Sequence, residues 1–129
     1  MGVDTTAYII NIDRKKLSNF LGNVFKNVKI EDTHNETYKV INFNDGKDNR
    51  SIHTHNIYVD IEKDKEYYIS QGWNPNKGTE SINRVKEGLP DGTEGLYLSF
   101  GMWGNSVDIM KMICYRFGGY IIYKDKEEL

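Results

Sequence analysis

Apolar residues recur along this chain with two periods, and the change from one to the other marks its elements. Residues 7–12 (AYIINI) are apolar on both faces, as in a strand covered from two sides. Asp13 then offers an N-cap. Leu17, Phe20, Leu21, Val24 and Phe25 follow at i, i+3, i+4, i+7 and i+8, the stripe of an amphipathic helix. Residues 38–43 (YKVINF) predict a strand closed by the turn Asn44-Asp45-Gly46. Residues 51–61 predict another, with Ile57, Val59 and Ile61 on one face. Beyond a charged turn at 63–65, residues 66–73 (EYYISQGW) predict a third strand of an antiparallel meander.

Residues 74–95 form the longest irregular stretch, in which 79–86 predict a short helix with Ile82 and Val85 as its apolar contacts. The final third is the most regular. Leu96, Leu98, Phe100 and Met102 share one face of a strand. A glycine-rich loop follows at 101–106, then a helix capped by Ser106 with a buried stripe of Val107, Met110, Ile113, Cys114 and Phe117. Gly118-Gly119 stops that helix, and residues 120–123 (YIIY) make a strand apolar on both faces. The order is β-α-β-β-β-β-α-β. It predicts a single α+β domain over 1–129, a mixed, mostly antiparallel sheet of about six strands with two helices packed on one face. The doubly apolar strands near the two ends of the chain are expected to be central neighbours.

Composition narrows the class. A net charge of -2 supplies no basic footprint for nucleic acid or for an anionic membrane. Cys114 is the only cysteine, so no intramolecular disulfide forms, and its helical apolar setting predicts a buried thiol in a reducing compartment. The chain shows no signal-peptide pattern and no apolar run of membrane-spanning length, from which a cytoplasmic location is expected. Lysine outnumbers arginine thirteen to four, asparagine is abundant and Ala7 is the only alanine, a bias that points to an AT-rich genome.

Two groups of residues carry candidate chemistry. In the loop 101–106, glycines permit close approach of a ligand, Trp103 offers a stacking surface, and the amides of Gly104, Asn105 and Ser106 open a helix N-terminus suited to an anion. Trp73, Lys77 and Arg84 from the long irregular stretch would complete such a pocket by stacking and charge neutralisation. His53 and His55 form the other group. Two apart on a strand, they project from one face and offer either two zinc ligands, with His34, Asp60 or Asp32 as a third, or an acid–base pair for a phosphodiester. No H-E-x-x-H, C-x-x-C or G-x-S-x-G pattern accompanies them.

The segments G-M-W-G-N-S-V-D-I-M…F-G-G-Y and M-G-V-D-T-T-A-Y resemble parts of small uncharacterised proteins of low-GC bacteria and their phages. The resemblance implies an accessory protein of a mobile element, a class that binds a host protein or sequesters a nucleotide signal. The expected function is therefore a non-catalytic binding protein that sequesters an anionic nucleotide-derived ligand as an anti-defence sponge, without a cofactor. One alternative is a protein–protein interaction or inhibitor module, acting on a host protein or as a homo-oligomer without a pocket. Another is a phosphodiesterase dependent on His53 and His55.

Overall fold

A computed structural model of the chain describes residues 5–70, 82, 85–86, 88–101 and 104–122. The elements run β1 (Thr5–Ile10), α1 (Arg14–Val24), β2 (Lys26–Glu31), β3 (Tyr38–Asn44), β4 (Asn49–Tyr58), α2 (Ile61–Ser70), β5 (Glu94–Phe100), α3 (Ser106–Phe117) and β6 (Tyr120–Ile122). Ile82, Val85 and Lys86 are helical, as the pattern predicts. The six strands make one sheet in the order β2-β3-β4-β5-β1-β6, and each pairing is antiparallel. The fold is α+β.

Strand alternation divides the sheet into two faces. One carries Ala7, Ile9, Ile41, Phe43, Ile52, Leu96, Leu98 and Phe100, all buried, and packs against α1 and α3. Leu17 and Leu21 enter this core from α1, while Ile109, Met110, Ile113 and Cys114 enter from α3. Both helices thus lie on one face, because each presents a single apolar stripe that only the sheet can cover. On the opposite face Ile57, Val59 and Tyr97 form a smaller cluster, covered by Ile82, Val85 and Leu89.

Capping sets the helix ends. Asp13 Oδ1 accepts from the Lys16 amide at 2.9 Å and starts α1. At the far end of α3, Gly118 adopts φ 73°, a left-handed conformation that glycine enters without steric cost, and the Gly119 amide returns to the Cys114 carbonyl at 2.8 Å. Gly95 is required for a different reason. A Cβ there would lie 2.1 Å from the Ile9 carbonyl oxygen, so β1 and β5 meet only because no side chain intervenes.

Several expectations need correction. Residues 66–70 are helical rather than extended: Asp60 Oδ1 accepts from the Lys63 amide at 3.1 Å, and Asp91 Oδ1 accepts from the Ile61 amide at 2.9 Å. Two carboxylates at the N-terminal end favour a helix through the charged run, overriding the strand propensity of the tyrosines after it. Ile61 consequently leaves the apolar face and is 55 % exposed. The sixth strand is instead β2, unexpected because lysines and a positive φ at Asn27 interrupt its pattern, with a register shift between Lys26 and Lys29. β6 does neighbour β1, but as the edge of the sheet. Ser106 is the first residue of α3, and its hydroxyl donates to the Gly101 carbonyl instead of capping the helix.

Candidate functional site

The loop residues singled out by sequence divide into two sets. Trp73, Lys77, Arg84 and Trp103 lie outside the described residues, while Gly104, Asn105 and Ser106 are described. The last two are bound to Arg50, which projects from β4 towards the helices. Its guanidinium donates to Asn105 Oδ1 at 2.6 Å, to Asp45 Oδ2 at 3.2 Å and to Ser106 Oγ, and it covers the Phe100 ring at 4.3 Å. Arg50 is only 3 % exposed. It joins the β3–β4 hairpin to the first turn of α3. Asp45 also accepts from the backbone of Asp48 and Lys47; those bonds, with Arg50 adding to them, hold its carboxyl below the usual carboxylate range.

His53 and His55 share a face of β4, as their spacing predicts, and that face is the one opposite α1 and α3. Cross-strand pairing aligns His55 with Tyr38 on β3 and Tyr97 on β5, and Tyr97 in turn with Tyr8 on β1. The Tyr38 ring stacks on His55 at 4.4 Å and on His53 at 5.7 Å, and its hydroxyl hydrogen-bonds to His53 Nδ1. Among the described residues, no third His, Cys, Asp or Glu joins the pair in a ligating arrangement. Tyr38 was not singled out by sequence; the signal was register, which places it directly opposite His55.

A concave site lies elsewhere, where the end of β1 passes between α1 and the last turn of α3. A groove of about 480 Å³ is lined there by Asn11, Lys16, Asn19, Phe20, Arg116 and Phe117, with further α1 and β1 positions. The spacing 16, 19, 20, 23 puts the α1 contributors on one helical side, away from buried Leu17 and Leu21. Phe20 and Phe117 meet edge to face at 5.4 Å and 81°. The Arg116 guanidinium lies 5.1 Å from the centre of Phe117 and 6.0 Å from that of Phe20, held over two rings. Among the described residues neither Lys16 nor Arg116 forms an ion pair.

The backbone contributes as well. Asn11 has φ 60°, a left-handed conformation rare outside glycine, and its amide donates to the Glu94 carbonyl at 2.7 Å. This turns the chain sharply out of β1 and places Asn11 at the rim. The positive end of the α1 dipole adds to the charge of Lys16. At the opposite end the carbonyls of α3 are closed by Gly118 and Gly119, and Arg116 offsets the negative pole there. The groove therefore offers two cations, side-chain amides and two aromatic rings, a set suited to a small anion bearing a planar group.

A second concavity, of about 390 Å³, adjoins the first and shares Asn11, Ile12 and Lys16 with it. Asp13, Gly92 and Glu94 complete its lining. Among the described residues no helix is long and apolar enough to cross a membrane. Comparison of the chain with family models, curated proteins and solved structures gives no match, so the functional reading rests on this geometry.

Proposed function

We propose that the protein is a non-catalytic binding protein for a small anionic ligand with a planar ring, of the nucleotide class, held in the groove between α1 and α3. The observation that carries this reading is the presence of two cations, Lys16 and Arg116, with no carboxylate partner among the described residues, in one concavity with Phe20 and Phe117. Charge-assisted bonds from the two cations would hold phosphate, and the phenyl rings would contact the base. The volume is within the range of small-ligand sites, roughly 300–1,000 Å³. Binding is favoured over turnover because His53 and His55, the strongest acid–base candidates, lie on the opposite face of the sheet. Sequestration of a nucleotide signal is the use that such a pocket would serve.

The test is calorimetric titration with adenosine, guanosine, cytidine and uridine monophosphates. Saturable binding of at least one is expected, weakened about tenfold in each of Lys16→Gln and Arg116→Gln through loss of one charge-assisted bond. Failure of the whole series to bind folded protein would overturn the reading.

A further inference from the structure

We infer that the concavity beside the groove selects a ribose, so that the ligand is a ribonucleotide held across both lobes. This rests on the reading of the groove as a nucleotide site. The two lobes have opposite chemistry on either side of Lys16. One presents Lys16 and Arg116 with the phenyl rings, and the other presents the carboxylates of Asp13 and Glu94. A simple dianion is attracted by the first and repelled by the second. A ligand spanning both must carry negative charge at one end and hydrogen-bond donors at the other.

The carboxylates are arranged for that task. Asp13 Oδ1 is occupied by the Lys16 amide at 2.9 Å, which fixes the side chain at the mouth of the lobe and leaves Oδ2 to accept from a ligand. The Glu94 backbone is held from both sides: its carbonyl accepts from the Asn11 amide at 2.7 Å, and β5 pairs there with β4. Its side chain is exposed and lines the lobe. Two carboxylates in a lobe that adjoins the cationic groove match the vicinal hydroxyls of ribose, for which an acidic side chain is the usual acceptor in nucleotide sites. Lys16, common to both lobes, stands at the junction where the 5′-phosphate and the sugar meet.

The experiment compares each ribonucleoside monophosphate with its 2′,3′-dideoxy counterpart by calorimetry, on the wild-type chain and on Glu94→Gln and Asp13→Asn. Asparagine caps a helix as well as aspartate does, so the second substitution leaves α1 intact. The ribonucleotide is expected to bind about tenfold more tightly than the dideoxy form, from hydrogen bonds to charged acceptors. In Glu94→Gln that ratio falls towards unity while affinity for the dideoxy form is kept. Equal binding of the two forms by wild type, or an unchanged ratio in both variants, overturns the ribose assignment and leaves the nucleotide reading intact. Absence of binding by either form overturns both.

Discussion

Arg50 Nη1 donates to Asn105 Oδ1 at 2.6 Å across 55 positions of sequence. The bond links β4 to the start of α3: a β4 side chain, buried against Phe100, supports the turn that leads into α3. Asn105 thus uses its side chain on Arg50, and α3 begins without a side-chain cap. Replacement by Met keeps most of the volume and deletes the donors to Asn105, Ser106 and Asp45. Arg50→Met is expected to lower stability by about 3 kcal/mol, the cost of removing one member of a buried charged network. Urea denaturation followed by circular dichroism measures it, and a loss below about 1 kcal/mol would show that Arg50 is no clasp.

Gly22, within α1, and Gly95, within β5, respond in opposite directions. In Gly95→Ala the new Cβ meets backbone, the Ile9 carbonyl at 2.1 Å, which no side-chain rearrangement relieves. Loss of about 3 kcal/mol is expected. Gly22 lies exposed within α1 with nothing within 4 Å of an added Cβ, so Gly22→Ala gains up to about 1 kcal/mol of helix propensity. Thermal melts of the two variants check the sign of each.

Cys114 is buried, and desolvation raises its thiol from an ordinary value of 9.0 to about 11. Iodoacetamide at neutral pH is expected to label it far more slowly in the native protein than in urea. Between pH 9 and 11 the unfolded chain releases this proton while the folded chain retains it, so stability falls with rising pH there. Cys114→Ala flattens that part of the curve, which denaturation at graded alkaline pH detects.

Asp45 behaves in the opposite sense. Its folded carboxyl is held below the usual range by the amides of Asp48 and Lys47 and by Arg50, so the contribution is complete above the unfolded value of about 3.9 and fades as pH falls through the lowered folded value. Asp45→Asn is expected to lose stability at pH 6 and to show a shallower acid decline than wild type. Urea midpoints between pH 6 and pH 3 supply the comparison.

Local signals reached most of the fold. Asp13 as cap, the stripe through Leu17 and Leu21, and the Gly118 stop each depend on neighbours within a turn or two, and each is present. α2 was hidden because its start is set partly by Asp91, thirty residues onward, whose carboxylate meets the Ile61 amide. β2 was hidden because an edge strand needs only Val28 and Ile30 half-buried, too short an alternation to stand out. The groove was not singled out by sequence, although Lys16, Asn19 and Asn23 fall on one side of α1 near its Asp13 cap. The other half of the groove, Arg116 and Phe117, arrives only because β6 pairs with β1 and returns the end of α3 to that spot. Long-range register of this kind leaves no mark on spacing.

The most direct test of the groove is amide chemical-shift mapping of the isotope-labelled protein during titration with a ribonucleoside monophosphate. The largest changes are expected at Asn11, Lys16, Asn19, Asn23, Arg116 and Phe117, with the amides of Gly104, Asn105 and Ser106 little affected. Changes centred on residues 104–106, or on His53 and His55 across the sheet, would overturn the assignment of the site to the groove.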